Sequence, residues 1–261
     1  MTHADIVLAQ RIERAEAANA RGCTAAYPGA EFLEMAGGIA VFAGAESPLS
    51  RAAGMGLCGA VRADQFDEVE DFFDARGTRP VIDVCPLAHP SLIGILGARG
   101  YRVMEFDNVL VKRLAGAEII LTPRVRRGMP NEVDLWSHTA GSGFFEHAEL
   151  TTSEMEVGRA ICAMPGAMWY LASLESGEVA GAAALAIHNG LATLFADSTI
   201  AAHRRRGIHR EMILARLNEA LAQGCDLATA STMPGGGSQR NYERLGFEVI
   251  YTRITFERSS E

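Results

Sequence analysis

Apolar positions along the chain change their period several times, and each change marks an element. Over residues 5–20, Ile6, Ala9, Ile12, Ala15 and Ala18 recur near helical spacing and predict a helix. Residues 31–35 and 38–43 read as two short strands around the Gly37-Gly38 turn signal. Residues 50–61 are glycine-rich and predict an irregular strand. Asp64 stands as an N-cap before residues 65–75, where Phe66, Val69, Phe72 and Phe73 share a face. A short strand at 80–85, a helix at 89–98 after Pro86 and Pro90, and a long strand at 101–113 complete this half.

Leu114-Ala-Gly-Ala-Glu118 is a small-residue break, and the domain boundary is placed there, dividing the chain into 1–115 and 118–261. A strand at 118–122 is expected to open a new sheet, with helices near 131–139 and 152–164. Residues 169–175 and 178–188 form a hairpin around Ser176-Gly177. An apolar strand over 191–200 breaks into Ala-Ala-His-Arg-Arg-Arg-Gly-Ile-His209 and at once becomes an amphipathic helix reaching about Leu221. A strand at 225–230, a helix at 238–245 and a closing strand at 247–256 end the chain. Leu96-Gly-Ala-Arg-Gly-Tyr-Arg-Val-Met and Tyr242-Glu-Arg-Leu-Gly-Phe-Glu-Val-Ile both run from a helix through a glycine and an aromatic into a strand. Both follow helix, strand and helix in the same order, as in a diverged internal duplication. Helix-glycine-aromatic-strand is also common C-cap chemistry, and that reading stays open.

Composition narrows the picture only a little. At 261 residues, 48% apolar and 21% charged, the chain has the balance of a globular protein of one large or two small domains. A formal charge of -8 argues against a nucleic-acid binder. Lys112 is the only lysine, so almost all positive charge is arginine. Cys23, Cys58, Cys85, Cys162 and Cys225 are dispersed, with no CxxC pair and no histidine at ligand spacing. They read as reduced thiols of a cytoplasmic protein without a metal site, Cys225 being a core residue. The first residues hold no cleavable apolar stretch, and the uncharged run 179–187 is far shorter than the ~20 residues of a spanning helix. A soluble chain is expected.

The basic turn carries the chemistry. A strand that gives way to arginines and a glycine at a helix N-terminus offers unpaired N–H groups at the positive end of the helix dipole, which is an anion site. Residues 118–256 resemble the GNAT superfamily of N-acetyltransferases. The family's signature Arg/Gln-x-x-Gly-x-Gly/Ala, between its fourth strand and the next helix, aligns with Arg204-Arg205-Arg206-Gly207-Ile208-His209. A later tyrosine four residues before Gly-Phe aligns with Tyr242 and Gly246-Phe247. His209 departs from the small residue of the pattern; it is expected as an exposed helix-face residue, the other reading being a contact to phosphate. Arg51-Ala-Ala-Gly54-Met-Gly56 satisfies the written pattern better, but about one such match is expected by chance and the next helix begins well beyond it. The first half is therefore read as a degenerate GNAT-like domain without a cofactor site.

The resemblance implies an α/β fold of two tandem GNAT-like domains, each a mostly antiparallel mixed sheet flanked by helices. It implies direct transfer of the acetyl group of acetyl-CoA to an amine of a small molecule or peptide, with a backbone N–H holding the oxyanion. The phosphates would meet the N–H groups of Arg206, Gly207, Ile208, His209 and Arg210, with Arg204 and Arg205 adding charge. Pantetheine would run along Ser198, Thr199 and Ile200. Tyr242 matches the family's general acid, or packs its ring beneath the short helix. Asn241 and Ser238 would reach the cofactor amides, unless Asn241 is an exposed helix residue and Ser238 an N-cap. Asp197 is either the general base or a solvent-facing strand residue; His188, Glu146 and His147 are weaker candidates. Trp136, Phe144 and Phe145 either wall an acceptor pocket or belong to the core. Two other readings stay open: a non-catalytic acyl-CoA-binding sensor, and a transferase using another acyl donor.

Overall fold

The computed structural model describes residues 4–25, 27–45 and 47–259. They divide into two compact units interleaved in sequence. The first holds Met1–Val109, Thr232–Pro234 and Val249–Glu261, and the second Leu110–Ser231 and Gly235–Glu248.

The first unit contains α1 (Ile6–Thr24), β1 (Glu31–Met35), β2 (Gly38–Phe42), β3 (Arg51–Ala53), α2 (Ala63–Asp74), β4 (Val81–Val84), α3 (Pro90–Ala98) and most of β5 (Tyr101–Arg113). β1, β2 and β3 pair antiparallel, and β3 and β4 pair parallel. Only Arg51–Ala53 of the expected irregular strand is extended. Of the glycines that follow, Gly54 and Gly56 are buried, a Cβ on Gly56 lying 3.3 Å from Ala88 Cβ, and Gly59 is exposed; on β2 a Cβ on Gly38 would lie 2.3 Å from Ala53 O. Arg62, not Asp64, is the cap of α2; Asp64 sits in the first turn and is bound by the Arg62 guanidinium at 2.8 Å. Phe66, Val69, Phe72 and Phe73 do bury one face of α2, in a core with Ile82, Leu92 and Leu96.

The second unit contains the end of β5, then β6 (Val125–Arg127), α4 (Val133–Phe144), α5 (Thr152–Ala163), β7 (Met168–Ser173), β8 (Val179–His188), β9 (Leu191–Thr199), α6 (Ile208–Ala222), β10 (Leu227–Thr232) and α7 (Gly237–Arg244). Its strands lie in the order β5-β10-β9-β8-β7-β6. β6 to β9 pair antiparallel in succession, and β10 pairs parallel with β9. Residues 118–122 form no strand. The Asn218 side chain takes both backbone groups of Ile120, at 3.1 and 2.7 Å, in place of a ladder, and Ile119 and Leu121 stay exposed. β8 is rich in alanine, and a Cβ on Gly181 would meet Ile208 at 2.9 Å, so small residues admit α6 close to the sheet. The core under α6 joins Ile213, Leu217 and Ala220 to Tyr170, Leu185 and Leu194.

The closing strand β11 (Glu248–Arg258) pairs antiparallel with β4, placing Val249 onward in the first unit rather than with the residues before it. Alternation identifies a strand but says nothing of which sheet edge it will join. Both repeated segments turn through a left-handed glycine, Gly100 at φ +73° and Gly246 at φ +83°. Three strands, a helix, a strand, a helix and a strand recur in that order from β1 to β5 and from β7 to β11.

Candidate active site

The site is built around a bulge in β9. Ala184 of β8 faces Phe195 and Ala182 faces Ser198, so a single β8 residue lies opposite both Ala196 and Asp197. Ala196 takes φ +52°, a left-handed conformation that costs a residue with a Cβ about 1 kcal/mol. Arg216 of α6, wholly buried, compensates the broken ladder. Its Nη1 donates to Ala184 O at 3.0 Å and Phe195 O at 3.4 Å, and its Nε to Met212 O at 3.0 Å. Its Nη2 donates to Asp197 Oδ1. β10 pairs with β9 only over Leu191–Thr193 and Leu227–Thr229, although β9 runs on to Thr199 and β10 to Thr232.

Asp197 is the hub of a closed network. Besides Arg216, it accepts the Tyr242 hydroxyl on Oδ2, and His209 Nε2 lies 3.5 Å from Oδ1. Burial pushes the carboxyl up. The Arg216 charge, with His209 and the Tyr242 hydroxyl, outweighs that and holds it well below the usual carboxylate range. Burial and the neighbouring Asp197 charge push the Tyr242 hydroxyl well up. Tyr242 is 1% exposed, with its ring edge-on to Phe247 at 4.9 Å and to His209 at 5.6 Å.

Beside this network lies a groove of about 840 Å³. Its wall includes Asp197, Ser198, Thr199, Arg204, Arg205, Gly207, Ile208, His209, Arg210, Ser238 and Asn241. Gly207 caps α6 at φ +78°, and the first helical bond runs from Glu211 N–H to Gly207 O at 3.1 Å. The N–H groups of Ile208, His209 and Arg210 precede it and have no acceptor within the helix. Arg124 braces the turn, donating to Arg206 O at 2.9 Å and to Glu211 at 2.6 and 2.9 Å.

Several expected residues lie elsewhere than the sequence suggested. His209 is not an exposed helix residue: its side chain is 16% exposed and meets Asn241 Nδ2 through Nδ1 at 3.0 Å. Asn241 is correspondingly engaged rather than free, and Asp197, its side chain 13% exposed, meets solvent only at the groove wall. Ser238 stands inside α7, whose cap is Gly236. Arg204 is tied to Glu146 at 2.8 Å, Gly143 O at 3.2 Å and Thr199 O at 3.3 Å. Ile200, Arg206 and Tyr242 do not belong to the groove wall. His147 is held by Glu149 O and Glu154, and Trp136 is core, its indole N–H reaching Tyr170 O at 3.0 Å. Phe144 is exposed, and Cys225 is buried. Burial lowers the His188 pKa, at the far end of β8 from Gly181.

Sequence reasoning missed Gly143, His203, Gly237, Arg240, Arg244 and Leu245 of the wall, and Arg216 beneath it. Arg216 had a signal, a charge set among Met212, Ile213, Leu217 and Ala220 on the apolar stripe of α6. Arg240 and Arg244 had another, as arginines one turn apart flanking Tyr242.

Residues 135–247 match the model of the acetyltransferase (GNAT) family. The GNAT match is that of this stretch of the chain. No curated protein sequence matches it significantly. Among solved structures, a GCN5-related N-acetyltransferase from Kribbella flavida is similar at TM-score 0.69 and 18% identity, over 95% of this chain and 96% of that one. A tandem GNAT protein from the clavulanic acid biosynthesis pathway is similar at TM-score 0.60 and 13% identity, over 98% and 95%. A GCN5-related N-acetyltransferase from Sphaerobacter thermophilus follows at TM-score 0.58 and 14% identity, over 88% and 76%. At these identities the likeness is one of fold, that of two GNAT-like domains in tandem. No helix among the described residues is long and apolar enough to cross a membrane.

Proposed function

We propose that the GNAT domain binds acetyl-CoA in the groove and transfers its acetyl group directly to an amine of a small molecule or peptide. The observation that carries this reading is the junction of two features in one groove: the unpaired N–H groups of Ile208–Arg210, ringed by arginines, and the bulged strand at Asp197–Thr199. The first suits a pyrophosphate; the second leaves extended backbone beside which a pantetheine arm can pair. Bound acetyl-CoA would supply an activated acyl group and a thiolate leaving group.

Tyr242 is assigned the proton for the leaving sulfur: its hydroxyl, held by Asp197 behind the groove wall, turns into the groove to give it, and the proton that groove water takes from the nitrogen restores the phenol. A carboxylate tied to a buried guanidinium is a weak base, so the attacking nitrogen's surplus proton is assigned to water in the groove. The first unit is read as lacking a donor site. Where α6 starts on a left-handed Gly207 beside three arginines, α2 starts at a single Arg62 whose guanidinium is already taken by Asp64. The mutual engagement of Tyr242 and Asp197 also favours a second reading, an acyl-CoA-binding module without turnover. Thiol release from acetyl-CoA over a panel of amines separates the two, and calorimetric titration with acetyl-CoA tests both. Release with any amine supports transfer; binding without release supports the module; no binding at millimolar acetyl-CoA removes both.

A further inference from the structure

Four arginines in the groove wall, Arg205, Arg210, Arg240 and Arg244, have no carboxylate or hydrogen-bond acceptor for their guanidinium groups among the described residues. Outside the groove most arginines hold one, Arg62, Arg99, Arg126, Arg159 and Arg258 among them, and exceptions such as Arg102 and Arg113 are not gathered with others in one wall. The chain has 32 acidic side chains against 24 basic ones, so carboxylates are not scarce; in this groove Arg204 holds one, Glu146, and these four arginines hold none. Like charges gathered without counter-ions repel one another, and an anionic ligand relieves that repulsion.

A pyrophosphate diester brings two negative charges, and the α6 N-terminus with Arg205 and Arg210 matches them. Arg240 and Arg244 remain. They stand one turn apart on α7, on a helix different from the one that meets the pyrophosphate. Two guanidinium groups one turn apart on the wall of one groove suit a phosphomonoester, which carries about -1.5 to -2 charge near neutral pH and three acceptor oxygens.

We propose that Arg240 and Arg244 form a subsite for a terminal phosphomonoester, the ribose 3′-phosphate of CoA, and that the groove selects the phosphorylated carrier over dephospho-CoA. The inference rests on the acetyl-CoA reading of the groove. Calorimetric titration of the full chain with CoA and with dephospho-CoA tests it, alongside the double variant Arg240→Gln/Arg244→Gln and each single variant. The unaltered protein should prefer CoA by about tenfold or more, as two charge-assisted contacts imply. The double variant should bind both carriers within about threefold of each other, with its dephospho-CoA affinity unchanged. Each single variant should lie between, and it supplies the comparison if the double variant does not fold. Equal affinities in the unaltered protein, or a preference that survives both substitutions, would overturn the subsite while leaving the acetyl-CoA reading intact. Failure of the unaltered protein to bind either carrier would overturn that reading and the subsite with it.

Discussion

Asp197 shows how much one residue's neighbours decide. On its strand it reads as a base or an exposed carboxylate. In the fold it is the counter-ion of Arg216, which has no solvent exposure. Asp197→Asn leaves that guanidinium buried without its charge, and stability should fall by about 3–5 kcal/mol in urea unfolding. A loss below about 1 kcal/mol would mean that Arg216 is compensated by carbonyls alone. The same pair sets an acid dependence. The folded carboxyl titrates below its unfolded value near 4, so its contribution is complete above about pH 4 and fades as pH falls toward the depressed folded value. Unfolding measured from pH 5 to pH 2 should therefore be less pH-dependent in Asp197→Asn. For Tyr242→Phe the expected result is divided. Loss of the bond to a charged acceptor should cost about 1.5–3 kcal/mol of stability, and kcat should drop by about tenfold or more at nearly unchanged acetyl-CoA affinity. Unchanged kcat beside the lost stability would leave Tyr242 a purely structural partner of Asp197.

At the scale of elements, what was legible was what a local period can express. The helices through Phe66 and Met212, the β7–β8 hairpin and the strand-turn-helix at Gly207 follow from spacing and turn residues. The missing strand at 118–122 was not legible, because three consecutive apolar residues cannot reveal that Asn218 will take their backbone groups. His209 was misread for a related reason. Position on a helix predicts a face, but the inward turn of its ring depends on Asn241 and Asp197, 32 and 12 residues away in the chain. The α6 N-terminus itself makes a prediction. Gly207→Ala forces a Cβ into φ +78° and sets it 3.2 Å from Arg124 Nη2, disturbing the brace of the turn. It should cost about 1 kcal/mol of stability and weaken acetyl-CoA binding by about tenfold. Gly237→Ala, also in the groove wall but with open space and an ordinary φ, should do neither. Calorimetry on the two variants side by side separates a strained turn from a merely crowded groove.

Across the whole chain, the same device stabilises each unit. In the second, a buried arginine and a tyrosine hydroxyl converge on Asp197. In the first, Arg253 Nη2 at 2.9 Å and the Tyr251 hydroxyl at 2.7 Å converge on Glu13, which is 1% exposed. The resemblance is chemical and not positional, since Glu13 lies on a helix and Asp197 on a strand. The groove beside Asp197 is lined wholly by residues of the second unit, and Glu13, Tyr251 and Arg253 are not among them. The two trios should therefore separate stability from binding. Glu13→Gln leaves Arg253 buried without its main partner and should lower stability by about 3–5 kcal/mol. Acetyl-CoA affinity measured well below the melting temperature should stay within about twofold of the unaltered protein, and at a hundred times Kd the ligand should still add about 2.7 kcal/mol. A tenfold loss of affinity in Glu13→Gln would instead mean that the first unit contributes to donor binding.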